Sequence, residues 1–288
     1  MRSVGRVDAG IVWVLLTTGG RPQELSRALA SLVEGDLSPG LLLVSNGAGS
    51  IDVEGGVSVV QSERNLGVPG GRDLGVASTT APLIGFLDDD AEFRGDTARI
   101  IEEFAKDPRL GAVALRLVDE NGETDRRHVP RAGNGDPSES GDVAYFLGGA
   151  CAIRREAYEQ VGGYFTELFY GHEEIELSWR LLDAGWKIRY LADVEVFHPR
   201  TEISRHADGW FLTGRNRVWI ARRTLPWPVA IVHVVTWLVL GLIRAPKGPC
   251  RDAYRRGWTS GWRGDISHQP ISWRTVWRLT RLGRPPVI

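Results

Sequence analysis

The sequence predicts an α/β fold with a mostly parallel central sheet flanked by helices and a helical extension at the C-terminal end. Three observations carry this. Over residues 10–200, short apolar runs alternate with stretches of helical periodicity, the pattern of a parallel sheet wrapped by helices. Three of those runs end in polar, glycine-rich or acidic clusters, and ligands of such sheets bind beyond the carboxyl ends of strands. After residue 205 the strand pattern stops, and Trp and Arg flank long apolar stretches. A chain of 288 residues holds one large domain, or a domain with an appendage. The expected units are 1–205 and 206–288.

The elements follow in order. Ile11–Leu16 reads as a buried strand, and Thr17-Thr18-Gly19-Gly20-Arg21-Pro22 as the turn after it. Pro22 suits the first turn of a helix reaching about Val33, whose apolar face is Leu25, Leu29 and Leu32 at spacings of four and three. Leu41–Val44 is the next strand, ending in Ser45-Asn46-Gly47, and Val57–Val60 a third. Asn65-Leu66-Gly67-Val68-Pro69-Gly70-Gly71-Arg72 reads as a glycine-rich loop before a short helix. Leu83–Leu87 is a strand that runs into Asp88-Asp89-Asp90. Gly95–Lys106 reads as a helix, Ala112–Val118 as a strand and residues 131–141 as a flexible loop. Val143–Leu147 leads into Gly148-Gly149-Ala150-Cys151, with a helix from about Arg154. A further helix opens at Gly171 and ends at Gly185. Val194–His198 is a short strand.

Composition narrows the function. The net charge of −1 argues against a general nucleic-acid binder. Two cysteines, Cys151 and Cys250, supply neither a disulfide scaffold nor a zinc site. The run Ile11–Leu16 is too short for a signal-peptide core, so the expected location is cytoplasmic. The charge is split: residues 201–288 hold 15 Lys/Arg against 4 Asp/Glu, and 8 of the 11 Trp lie after residue 205.

The acidic triplet is the strongest chemical signal. Three adjacent carboxylates repel and no folding requirement places them at a strand end, although acidic turns are common. Along an extended backbone alternate residues share a face, so Asp88 and Asp90 can grip a hard divalent cation through oxygen. Glu173, Glu174 and Glu176 sit in the first turns of a helix. Acidic side chains there match the helix dipole, and a carboxylate near a bound nucleotide can also act as a general base. His198 at a strand end offers an imidazole as a third ligand.

In this order and spacing, the motifs resemble the family 2 glycosyltransferases, particularly bacterial rhamnosyltransferase-like members. The resemblance rests on Thr17-Thr18 with Arg21-Pro22, on Asn65–Arg72, and on Phe86-Leu87-Asp88-Asp89-Asp90. It continues through Gly148-Gly149-Ala150, Tyr170-Gly171-His172-Glu173-Glu174-Ile175-Glu176-Leu177 and Phe197-His198-Pro199. It implies a GT-A fold and inverting, metal-dependent transfer of a sugar from a nucleotide-sugar. By that resemblance Asp88, Asp90 and His198 hold Mg²⁺ or Mn²⁺. Glu174, second of the Glu173-Glu174 pair, is the base. Thr17, Thr18, Arg21, Ser45, Asn46, Asn65, Gly70, Gly71, Arg72, Asp88 and Asp89 bind the donor nucleotide. Gly148, Gly149 and His172 face the sugar or acceptor. The sequence departs from the family at Ser45, where a base-reading Asp is usual, at Asp73, which replaces Asn, and at the Glu-Glu pair, which replaces Glu-Asp.

The expected donor is a dTDP- or UDP-sugar, with rhamnose a candidate, and the expected acceptor a cell-envelope or lipid-linked glycan. Two alternatives stand beside this: glycosylation of a small natural product, and a non-catalytic sugar-nucleotide-binding module. The apolar run Val229–Ile243, flanked by Arg222, Arg223, Arg244 and Lys247 and preceded by Trp227, suits a helix lying on, dipping into or spanning a membrane, or packed on the body. Trp258, Trp262, Trp273 and Trp277 among Arg residues suit an anionic lipid surface. The expected placement is peripheral, at the inner face of the cell membrane.

Overall fold

A computed structural model describes residues 10–33, 39–53, 55–125, 128–130, 135–200 and 209–287. The first half comprises β1 (Ile11–Thr17), α1 (Pro22–Val33), β2 (Gly40–Asn46), β3 (Ser58–Ser62), α2 (Gly67–Ala77) and β4 (Leu83–Asp88). All four strands are parallel, in the order β3-β2-β1-β4. β1 and β2 are apolar along nearly their whole length because both faces are covered, whereas the outer strand β3 is at most half-buried. Register sets Thr17 beside Ser45 and Leu16 beside Asp88, so the strand ends expected to share a crevice lie side by side.

The second half adds β5 (Glu92–Arg94), α3 (Thr97–Lys106), β6 (Leu110–Val118), β7 (Gly141–Asp142), β8 (Ala150–Arg154), α4 (Arg155–Gln160), α5 (Glu173–Asp183) and β9 (Lys187–Phe197). The sheet continues β4-β8-β6-β9-β5, with β7 beside β9, and β8 runs antiparallel between β4 and β6. Two expectations are corrected here. The helix expected from about Arg154 is α4, but Ala150–Arg154 before it is a strand that was not expected; its mostly small side chains fill a covered position between two strands. β9 runs 11 residues, far beyond Val194–His198, because its half-buried Lys187 and Arg189 broke the apolar pattern. Of the expected loop 131–141, residues 131–134 lie outside the described residues; Gly141 and Asp142 form β7.

The glycine-rich segment is also different from expectation. Gly67 to Arg72 are helical, the first turns of α2. Gly71 lies against Leu16 and Gly75 against Val14 with no room for a Cβ, so the close approach is of helix to strand. Gly70 packs on Leu66. Asp73 is explained by Tyr158, whose hydroxyl donates to it at 2.7 Å and ties α2 to α4.

Four helices follow: α6 (Gly209–Thr224), α7 (Trp227–Arg244), α8 (Pro249–Gly261) and α9 (Trp273–Arg281). The expected boundary at 205/206 falls outside the described residues. Val218, Ile220, Leu225, Val234 and Leu279 join the same apolar core as Val14, Val44, Phe86 and Leu177. α7 therefore has two faces. Val229, Ala230, His233, Val234 and Gly241 are buried, while Trp227, Ile231, Val232, Val235, Val239 and Ile243 are exposed. Among the described residues, α7 is the one helix long and apolar enough to cross a membrane by length and composition.

Candidate active site

β4 delivers Asp88 as its last residue, and the chain then turns, Ala91 N–H donating to the Asp88 carbonyl at 3.1 Å. Asp90 thus reaches the side of Asp88 through a turn, and not through the alternation of an extended strand. β9 runs out beside β6, where His198 N–H donates to the Val118 carbonyl at 2.9 Å. His198 Nε2 then stands 3.7 Å from Asp88 Oδ2 and 3.5 Å from Asp90 Oδ1. Its Nδ1 lies 2.9 Å from the Pro199 carbonyl, which accepts its proton and leaves Nε2 facing the carboxylates. One donor atom from each of the three falls within 4.8 Å of the others. Two carboxylates and an imidazole fit Mg²⁺ or Mn²⁺ in both charge and ligand type.

Arg72 links this cluster to the glutamate pair. It is 4% exposed and its Nη2 donates to Asp88 Oδ1 at 3.0 Å, while Nη1 lies 3.9 Å from Glu173 and 3.7 Å from Glu174. Burial works against its charge, and Tyr164, Asp88 and the two glutamates more than offset this. Burial would likewise raise Asp88, but the His198 hydrogen bond and Arg72 hold it down to about 2. Burial and the Glu174 charge push Glu173 up to about 8, against Arg72. Burial also raises Glu174, opposed by Arg72 and backbone N–H groups. The two glutamates differ in access: the Glu173 side chain is 3% exposed and Glu174 23%.

Asp88, Gly148, Gly149, Glu174 and His198 line one cleft of about 190 Å³. Both glycines are dictated by crowding. A Cβ on Gly148 would collide with Arg72 and Glu174, and one on Gly149 with Asp88.

The other expected residues take varied positions. Arg21 pairs with Asp89 at 3.2 Å and also with Asp90, so it braces the triplet. Thr17 is buried and its Oγ1 accepts from Gly19 N–H; Thr18 is exposed beside it. Ser45 Oγ donates to the Gly49 carbonyl at 2.6 Å. Asn46 clasps the start of α2: its Nδ2 donates to Asn65 Oδ1 and the Gly67 carbonyl, and its Oδ1 accepts from Leu66 N–H. Asn65 Oδ1 also accepts from Gly67 N–H. His172 precedes α5 at φ 74°; Arg217 and His233 are its electrostatic neighbours, and it does not line the cleft.

Sequence reasoning missed two groups. Asp119, Glu123, Asp125, His128 and Arg200 extend the cleft beyond β6, with Arg200 Nε donating to Asp119 at 2.6 Å. The cluster Asp119-Glu120-Asn121-Gly122-Glu123 at a strand end was the available signal. The second group is on α6. Asn216, fully buried, donates to the carbonyls of Leu168, Tyr170 and Gly171, and Arg223 pairs with buried Glu176 at 3.2 Å. α6 thereby holds the segment that carries Glu173 and Glu174, and no local pattern announces this.

Residues 50–162 match the family model described as glycosyl transferase family 2. The chain carries a family 2 glycosyltransferase domain. Over 201 residues it is 28% identical to the pre-mycofactocin glycosyltransferase of Mycobacterium tuberculosis, covering 62% of this chain and 38% of that protein. It is 32% identical over 95 residues to the N-acetylglucosaminyl-diphospho-decaprenol L-rhamnosyltransferase of the same organism, 29% of this chain and 31% of that one. The chain thus spans well under half the length of these relatives. Among solved structures, GalNAc-T7 with UDP, GalNAc and Mn²⁺ superposes with a TM-score of 0.60 at 16% identity, covering 85% of this chain and 53% of the other. The family 2 domain has the GT-A fold.

Proposed function

We propose that the protein is an inverting glycosyltransferase that moves a sugar from a nucleotide-sugar to an acceptor hydroxyl. The observation that carries this is a cleft lined by Asp88, His198 and the accessible Glu174, with Asp90 completing a three-ligand cation cluster and Arg72 bridging the two halves. Asp88, Asp90 and His198 hold a divalent cation, which when bound supplies positive charge for the nucleotide diphosphate. Glu174 takes the proton of the acceptor hydroxyl, whose oxygen bonds to the anomeric carbon as the bond from that carbon to the diphosphate oxygen breaks. Glu174 is favoured over Glu173 because it faces the cleft, whereas Glu173 is shut in behind it. Arg72 restrains Asp88 on one side and stands beside the glutamates on the other, keeping both halves in register. The test is transfer by Asp90→Ala and Glu174→Gln: each is expected to lose at least about 100-fold in kcat, and wild-type-like transfer by either sinks its assigned role.

The donor we favour is a dTDP- or UDP-sugar, with rhamnose a candidate, and the acceptor a lipid-linked or cell-envelope glycan. The rhamnosyltransferase relative supports this choice. The exposed apolar stripe of α7 and the basic charge after residue 200 support attachment at the cytoplasmic face of a membrane. In this reading 1–205 is the transferase unit and 206–288 the membrane-facing one. A second reading, transfer to a small natural product, is supported by the longer match to the pre-mycofactocin enzyme. Radiolabelled donor offered to organic-extracted lipids and to the aqueous small-molecule fraction separates the two.

A further inference from the structure

Arg217 on α6 differs from buried Arg72 and from half-buried Arg180 and Arg223. Arg72 faces Asp88, and Arg180 and Arg223 face Glu176. Arg217 is 8% exposed, and among the described residues no carboxylate pairs with it. Its guanidinium lies 3.4 Å from the centre of the Trp237 ring, and its Nε has no hydrogen-bond partner. Burial pulls its pKa down to about 9, and the charge of Arg244 adds to this. An ionised group held out of water without a counter-charge destabilises a fold and is retained where something else needs it.

Other polar groups gather around it. Arg244 lies over the same Trp237 ring at 5.5 Å. Arg284 stands 5.6 Å from the Tyr145 ring with its Nε buried and unpartnered, and Tyr145 is an electrostatic neighbour of Arg217 and Glu174 as well. His233 is 1% exposed; its Nδ1–H donates to the Pro286 carbonyl at 2.6 Å, so its unpartnered Nε2 is a neutral lone pair beside Arg217 and not a donor. His172 Nε2, two residues before Glu174, is buried and unpartnered too.

We propose that Arg217, Arg244 and Arg284, with His172, form an anion site for a phosphate or diphosphate group between the transferase body and the C-terminal helices. Guanidinium groups suit a delocalised, multiply charged oxyanion. None of these residues lines the cleft of Asp88, Glu174 and His198, and Trp237 and Arg244 belong to α7, which also carries the exposed apolar stripe. Resting on the glycosyltransferase reading, it is where the phosphate of a charged acceptor is held. Two sources share this chemistry: a lipid-borne phosphate and a soluble diphosphate.

The test uses the full chain in EDTA, so that no cation bridges pyrophosphate to the aspartates. Inorganic pyrophosphate at about 100 times its Kd is expected to raise Tm by about 5 °C or more. The shift should vanish in Arg217→Met and fall by half or more in Arg244→Gln, whose exposed side chain leaves folding intact if the first variant does not fold. Without pyrophosphate, Arg217→Met should melt above wild type because an uncompensated charge has gone. Neutral phosphatidylcholine vesicles doped with a polyprenyl phosphate, compared with undoped ones, separate the sources. Recruitment at least about tenfold stronger to the doped vesicles assigns the lipid-borne phosphate, and a pyrophosphate shift without such recruitment assigns a soluble one. A wild type that shows neither response overturns the site, as does a shift unchanged in both variants. Donor hydrolysis by wild type with Mn²⁺ is measured in parallel. Hydrolysis without any anion response sinks this inference alone, and an anion response without hydrolysis sinks the transferase reading and leaves the site.

Discussion

Replacing Asn216 by Asp tests whether a helix remote in sequence holds the proposed base in place. Asn216 is fully buried; its Nδ2 donates to the carbonyls of Leu168 at 3.0 Å, Tyr170 at 2.9 Å and Gly171 at 2.9 Å, and its Oδ1 accepts from Arg215 Nε at 2.9 Å. The segment it grips is conformationally costly, with Phe169 at φ 63° and His172 at φ 74°, both without the freedom of glycine. Asp has nearly the same shape but donates nothing, and it points a carboxylate at three carbonyl oxygens. The two N–H groups that these three carbonyls share contribute about 1 kcal/mol each, and the carbonyls left unsatisfied add about 1–3 kcal/mol. The expected loss is about 3–5 kcal/mol, a fall in Tm of about 10 °C for a chain of this size. Glu174 begins three residues after the last gripped carbonyl, so kcat should fall about 100-fold even where the variant is folded, as for an active-site displacement of about 1 Å. Urea melts give the first number and steady-state transfer the second. Asn216→Asp within 1 kcal/mol of wild type and with unchanged kcat would show that α6 does not hold this segment.

Three further outcomes are expected. Gly149→Ala sets a Cβ against the Asp88 carboxylate, so calorimetric Mn²⁺ affinity should drop at least about tenfold while far-ultraviolet circular dichroism is unchanged. Glu103 accepts from Arg99 at 2.6 Å and Arg189 at 2.7 Å, which lower its pKa although burial opposes them. An acid whose folded pKa lies below its unfolded value stabilises fully above the unfolded pKa and loses that stabilisation as pH falls through the folded one. Glu103→Gln should therefore cost about 1 kcal/mol at pH 7, discounted for solvent around its partners, and nothing near pH 2, as read from urea melts. Ile231→Glu with Val235→Glu places two charges on the exposed stripe of α7 and should abolish co-sedimentation with anionic vesicles while leaving Tm within about 2 °C of wild type.

The first helix, Pro22–Val33, was legible to the residue because Pro22 marks its start and Leu25, Leu29 and Leu32 its buried stripe. Strand ends at Thr17, Ser45 and Asp88 were legible because buried parallel strands are continuous apolar runs that polar residues terminate. Ala150–Arg154 was not, since a covered central strand of small residues shows no period. Gly70 and Gly71 read as a loop because glycine marks turns, yet here it lets a helix lie on a strand.

Residue type alone put the groups on offer: two carboxylates and an imidazole, a glutamate pair, and an apolar helix with basic flanks. These are local properties, carried by side chains wherever the backbone takes them. Packing alone settled who meets whom. Asp88 and Asp90 converge through a turn, Arg72 reaches both the cation cluster and the glutamates, Asn216 grips the segment before Glu174, and Arg217 is enclosed with no carboxylate among the described residues. Each of these joins residues far apart in the chain, or depends on what the surrounding core excludes. Burial, and with it the strength of every charge, is a property of the whole fold.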